Sequence, residues 1–115
     1  SWRLAALVLQ TGEVWLADLG LAAKTRPVVI VSREDNDPPR AIVVYVPLTR
    51  QSRSSDYEVA LPPQPFLKGD STANAQGVAS IPTVRLEGKL GRLPESVMAE
   101  ITQALAYTLN IPNAD

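Results

Sequence analysis

Apolar residues fall along this chain in short blocks separated by turn-forming residues. Runs rich in Val, Ile and Tyr occupy Glu13 to Leu19, Pro27 to Ser32, Ala41 to Thr49, Tyr57 to Leu61 and Gly77 to Thr83, with a shorter stretch around Lys89 to Arg92. Short β-branched and aromatic blocks of this kind predict strands. The segments between them, Gly20 to Thr25, Glu34 to Arg40 with its Asp-Pro-Pro, and the long Pro62 to Gln76, carry the turn residues expected of loops. Val28 to Val31 and Ile42 to Val46 are apolar at nearly every position instead of alternating, which predicts strands covered on both faces.

The pattern changes period near the C-terminus. Val97, Ile101, Leu105 and Leu109 recur every fourth residue, with Met98 and Ala104 widening the stripe, so a helix is expected from Pro94 to about Leu109. Pro94 suits its first turn, Glu95 complements the positive end of the helix dipole, and Asn110 followed by Pro112 supplies the stop. Residues 1 to 10 read equally as a strand or a helical cap. Several short strands followed by one amphipathic helix, with no repeat and no linker, predict a mainly β domain spanning 1–115: a small, strongly bent, SH3-like β-barrel with a C-terminal α-helix packed on it.

Composition narrows the chemistry more than the fold. At 115 residues and 45 % hydrophobic content one core suffices. The chain has neither cysteine nor histidine, which removes disulfides, the usual zinc sites, Ser-His and Cys-His nucleophile pairs, and any side chain that ordinarily titrates near neutrality. Neither a metal nor a cofactor is expected. The net charge of −1 hides an uneven distribution, since Lys24, Arg26, Arg50, Arg53 and Lys68 precede Arg85, Lys89 and Arg92. The longest apolar stretch, Leu4 to Leu9, is too short to span a bilayer and has no cleavage-site pattern behind it, so a soluble, cytoplasmic protein is expected.

Two polar residues stand at the ends of predicted strands, Arg26 just before one and Thr49 just after another. An arginine fork matches phosphate oxygens, and a threonine hydroxyl can donate one more hydrogen bond to the same group. Each also has an ordinary reading: Arg26 as a surface ion pair with Asp18, Asp35 or another carboxylate, Thr49 as a strand-end hydroxyl bonded to its own backbone. Trp15 and Tyr45 read as core residues, and Tyr57, beside a polar loop, as an open stacking candidate.

Five motifs in register tip the balance. Gly12-Glu13-Val14-Trp15-Leu16, Arg26-Pro27-Val28-Val29-Ile30-Val31-Ser32, Val46-Pro47-Leu48-Thr49, Leu67-Lys68-Gly69-Asp70-Ser71, and Arg85-Leu86 through Lys89-Leu90-Gly91 resemble, in order and spacing, the MazF/PemK-type toxins over residues 11 to 111. The resemblance implies the CcdB/PemK type of barrel. It also implies a toxin of a type II toxin-antitoxin system, a metal-independent, sequence-specific endoribonuclease that uses the 2'-hydroxyl of single-stranded RNA. Carried over, Arg26 and Thr49 become the catalytic pair, and Lys24, Arg50, Arg53, Lys68 and Gln76 the RNA contacts. A homodimer and a cognate antitoxin with an acidic tail are the implied partners, with no membrane. Gly77 and Ala79 depart from the family, which commonly has a glutamine and then a basic residue there; Gln76 substitutes with a one-residue shift. Two other readings stand beside this one. A CcdB-type gyrase inhibitor relies on a tryptophan near the chain's end, whereas Trp2 and Trp15 are N-terminal; a non-catalytic binding barrel draws on the altered 76 to 80 region.

Overall fold

The computed structural model describes residues 9–20 and 25–112; the expectations for residues 1–8 and for Lys24 lie outside them. Among the described residues, seven strands and one α-helix follow in order: β1 (Glu13–Asp18), β2 (Thr25–Ile30), β3 (Ile42–Thr49), β4 (Glu58–Ala60), β5 (Thr72–Asn74), β6 (Ala79–Pro82), β7 (Leu86–Arg92) and α1 (Glu95–Thr108). The strand pairings among the described residues are antiparallel, and the sheet runs β4-β5-β3-β2-β1-β7.

β3 is the pivot of this sheet. β2 lies along one edge, while the other edge is divided between β6, paired with Ile42 to Tyr45, and β5, paired with Leu48 and Thr49. Two partners on one edge force the sheet to bend sharply between them, and irregular register between β1 and β7 adds twist at the far side. Curled this way, the sheet resembles a barrel without closing by hydrogen bonds: β4 and β7 are its two ends. The β4–β5 loop spans the gap by setting Phe66 against Gly91 of β7.

Alternation along the strands sorts side chains into two cores. Val14, Val29, Val46, Leu48 and Val59 pack with Val97, Ile101 and Ala104 of α1; Ala17, Val28, Ile30, Val43, Tyr45 and Ile81 fill the opposite face, with Trp15 and Leu86 packed against them. Val14, Val28, Val29, Ile30, Val46 and Ile101 are fully buried, each worth roughly 1.5–3 kcal/mol of transfer free energy. Tyr45 and Trp15 are core residues as expected, Trp15 half-buried with its indole N–H donating to Glu13 Oε1 at 3.0 Å.

α1 follows its predicted stripe with two differences. Pro94 caps the helix from outside, its carbonyl accepting the Val97 and Met98 N–H groups. Asn110 takes φ +56 and the Ile111 N–H reaches back to the Ala106 carbonyl, a left-handed closure that ends the helix at Thr108 and leaves Leu109 more than half exposed.

Other expectations are corrected. β5 lies inside the segment read as a loop, because Thr-Ala-Asn holds one β-branched residue and no apolar block to signal a strand; tertiary pairing with β3 and β4 makes it one. Gly77 belongs to a 3₁₀ turn at Ala75–Gly77 that precedes β6. Thr25 and Arg26 are inside β2, and Thr49 is the last residue of β3. Finally, β3 is not covered throughout: Ile42 and Val44 share the face of Val46 and Leu48 but stand 44 % and 37 % exposed.

Candidate active site

The β2–β3 ladder pairs Ile30 with Tyr45, Val29 with Val46 and Val28 with Pro47, and goes no further. Pro27 and Pro47 both lack an N–H, so the ladder loses donors there. Continuing the register two positions sets Arg26 opposite Thr49. Instead of pairing, these strand ends flank a cleft of 480 Å³ lined by Arg26, Thr49, Arg50, Gln51, Lys68 and Ser71 with the apolar Pro27, Leu48 and Leu67 beneath. Each element is anchored elsewhere: Arg26 is in register with Ala17 of β1, and Thr49 with the buried Thr72 of β5. Lys68 arrives on the β4–β5 loop, where Gly69 at φ +68 lets the chain turn beneath the Arg50 guanidinium; a β-carbon there would stand 3.3 Å from it.

Electrostatics single this cleft out. Arg26, Arg50 and Lys68 line it without any carboxylate among the described residues. A second surface pocket, by contrast, gathers Asp56, Glu58 and Glu100, and a third, beside Ile42, is more apolar and contains Asp35 and Asp37. The ion pair among the described residues joins Lys89 to Glu13 at 3.0 Å; Arg26 makes none with Asp18 or Asp35. The ordinary reading of Arg26 therefore fails within the described chain. Thr49 keeps part of its ordinary reading and gains a function from it. Its Oγ1 accepts the Gln51 N–H at 3.2 Å, which occupies a lone pair and leaves the hydroxyl proton available to a ligand in the cleft.

Thr49 and Gln51 also line a second cleft of 380 Å³, with Arg53, Ser55, Tyr57, Glu58, Asn74 and Gln76. The two clefts thus form one groove, cationic on the Arg26 side and rich in amides on the other. Gln76 is exposed in the 3₁₀ turn whose N-cap is Asn74, so the one-residue shift leaves it at the groove. Gly77 is held by packing, since a β-carbon would stand 2.8 Å from Pro47 Cγ. Tyr57 lies edge-on to Tyr107 of α1, ring centres 5.1 Å apart, with its flank at the second cleft. Of the sequence-derived residues, Arg26, Thr49, Arg50 and Lys68 meet in the first cleft and Arg53 and Gln76 in the second. Pattern reasoning missed Gln51, Ser71 and Asn74. The strand-end position of Gln51 was a usable signal; Asn74 gave none, because β5 was not legible.

Residues 10–109 match the family of PemK-like, MazF-like toxins of type II toxin-antitoxin systems. The chain belongs to this family. It is 35 % identical over 101 residues to endoribonuclease MazF4 of Mycobacterium tuberculosis, covering 88 % of this chain and 92 % of that protein. A solved endoribonuclease in complex with its cognate antitoxin, from a mycobacterial species, superposes with a TM-score of 0.80 at 30 % identity, covering 91 % of this chain and 98 % of that one. The Mycobacterium tuberculosis toxin MazF-mt6 superposes with a TM-score of 0.78 at 25 % identity, covering 88 % and 99 %. The MazF/PemK resemblance and the barrel-like fold with its C-terminal helix are borne out, and nothing in these relationships supports the gyrase-poisoning alternative.

Proposed function

We propose that this chain is the toxin of a type II pair, acting as an endoribonuclease on single-stranded RNA, with residues 1–115 forming one toxin domain. The reading rests on one observation above the others: Arg26 and Thr49, far apart in sequence, line a single cleft with two further cations and no described carboxylate. A phosphodiester seated there meets a planar guanidinium and a hydroxyl donor. The 2'-oxygen attacks phosphorus and the bond to the 5'-oxygen breaks, leaving a 2',3'-cyclic phosphate and a 5'-hydroxyl. The 2'-hydroxyl gives up its proton and the departing 5'-oxygen takes one from solvent, so atoms and charge balance.

Arg26 bonds the non-bridging oxygens as negative charge builds on them, and Thr49 orients the same group. A guanidinium is a permanent cation, which makes charge stabilisation its contribution and leaves proton transfer to solvent. Arg50 and Lys68 hold flanking phosphates, Arg53 and Gln76 contact the chain beyond, and Lys24 contributes from the segment before Arg26. None of these steps calls on a metal.

An antitoxin with an acidic, disordered tail complements the cationic groove, and the family neighbour solved with its cognate antitoxin supports such a partner. Homodimerisation is supported by the apolar surface left at Ile42, Val44 and Leu109. No helix of the described residues is long and apolar enough to cross a membrane, and we place the protein in the cytoplasm with its RNA.

The test is to incubate purified protein with a randomised RNA pool in excess EDTA and sequence the 5'-hydroxyl ends. Cleavage by the wild type and none by Arg26→Ala supports the reading; tight RNA binding with no cleavage turns it into a binding barrel.

A further inference from the structure

Residues Arg50 to Asp56 carry two arginines and Gln51 from β3 toward β4 along the groove. All seven are polar and exposed, so packing cannot fix their conformation. One carboxylate does. Glu58, half-buried at the start of β4 and in register with Asn74, accepts the Arg53 N–H on both oxygens at 3.2 and 3.0 Å. It also accepts the Ser55 N–H at 3.0 Å and the Ser55 hydroxyl at 2.8 Å. The Glu58 N–H returns a bond to the Ser55 carbonyl at 3.1 Å. Between the two held residues Ser54 takes φ +52, a left-handed conformation that residues with a β-carbon rarely adopt. That turn aims two backbone N–H groups at one anion, the geometry of an anion nest whose occupant is supplied by the chain itself. Because these bonds favour the charged form, the Glu58 carboxyl is held below the usual carboxylate range, chiefly by the Arg53 N–H and then by the Ser55 hydroxyl.

We propose that Glu58 is a positioning residue: by winding residues 53–55 around its carboxylate it fixes where Arg53 stands at the second cleft, and so governs which nucleotide is accepted beside the scissile phosphate. Glu58 itself lines the second cleft, but both of its oxygens are taken up by the Arg53 and Ser55 N–H groups and the Ser55 hydroxyl. The chemistry of the second cleft fits selection, since Gln51, Asn74 and Gln76 offer amides that match the edge of a base, while the cations that hold phosphate concentrate in the first. The inference rests on the endoribonuclease reading for its substrate; the dependence of the loop on Glu58 does not.

The experiment uses Glu58→Gln, which keeps the shape but leaves one acceptor oxygen and turns an NH₂ group toward the loop's donors, and Ser55→Ala, which removes the hydroxyl's bond to Glu58 and the one it accepts from the Tyr57 N–H. Three measurements are made on each: amide exchange at Arg53 and Ser55, affinity for a non-cleavable 2'-O-methyl oligoribonucleotide pool, and kcat, KM and cleavage-site preference on RNA. For Glu58→Gln we expect amide protection to fall about tenfold or more, KM to rise about tenfold with kcat within about twofold, and preference at one position flanking the cut to flatten. Ser55→Ala should show the same effects more weakly, and it decides the matter if Glu58→Gln fails to fold. Unchanged amide protection overturns the proposal. So does released protection with KM and preference intact, or a loss confined to kcat. A wild type that binds the oligonucleotide but cuts nothing overturns the nuclease reading alone, and the exchange and affinity measurements still decide the role of Glu58.

Discussion

The ring of Phe66 lies so close to Gly91 that a β-carbon at residue 91 would stand 2.3 Å from Phe66 Cδ2. This contact joins the β4–β5 loop to β7, the two ends of the sheet that no hydrogen bond connects among the described residues. Leu67 and Lys68, the next residues, line the candidate active cleft, so sheet closure and site geometry share one packing contact.

Gly91→Ala should therefore destabilise the protein by roughly 1–3 kcal/mol through overpacking, lowering the melting temperature by about 5 °C or more. Gly88→Ala is the control, because nothing lies within 4 Å of a β-carbon there. Calorimetry of the two variants checks the contrast; equal melting temperatures would remove Phe66 from its closing role.

Arg26 is exposed, so its removal should leave the fold intact while slowing the chemistry. Arg26→Ala is expected to lower kcat by about 10²–10³-fold, the range for losing an electrostatic donor to a developing oxyanion. Arg26→Lys keeps charge but not the planar fork and should recover only part of that loss. Single-turnover cleavage with matched melting curves measures both.

Thr49→Val removes the hydroxyl at nearly constant volume. The Gln51 N–H loses its acceptor, so two effects are expected: slower cleavage and a looser start to the 50–56 loop. Thr49→Ser keeps the hydroxyl and should retain most activity.

Salt dependence tests the groove. On a single strand, each phosphate that the protein ceases to neutralise should reduce the slope of log K against log salt by about 0.7. Lys68→Ala and Arg53→Ala should each flatten the slope by about that amount, whereas Lys89→Ala, which lines neither cleft and is paired with Glu13, should not. Binding isotherms at several salt concentrations read this directly.

Acid stability should depend on Glu13, a buried carboxylate. Burial acts to raise it, but the Trp15 indole, the Lys89 ammonium and the Gln10 backbone outweigh burial and hold it lower than an ordinary glutamate. A carboxyl lowered in the folded state protonates first in the unfolded chain, so its stabilisation is complete above the unfolded value, about 4.3. That stabilisation then declines as pH drops through the folded value. Glu58 acts in the same sense. Glu13→Gln is expected to cost about 1–3 kcal/mol near neutrality and to flatten the acid limb; urea melts between neutral pH and pH about 3.5 check both.

How far the sequence reached can be judged residue by residue. The described strands other than β5, and the helix, were legible because the β-branched runs and the fourfold spacing from Val97 to Ile101 are local signals that the core repeats. Arg26 and Thr49 were visible as polar residues at the ends of apolar runs. Their convergence was not, since it follows from the β2–β3 register and from two prolines that stop the ladder.

The sequence by itself determined that chemistry here must proceed without histidine or cysteine, that strands precede one amphipathic helix, and that motifs from Gly12 to Gly91 follow the MazF/PemK order. Only the tertiary structure decided that Thr72 to Asn74 form a strand, that Gln51 and Asn74 share a groove with Arg26, and that Glu58 gathers a loop with no apolar residue of its own. The physical reason is range: periodicity records which face of an element is buried, whereas a groove is made where elements distant in sequence stop pairing, and no local pattern encodes where that happens.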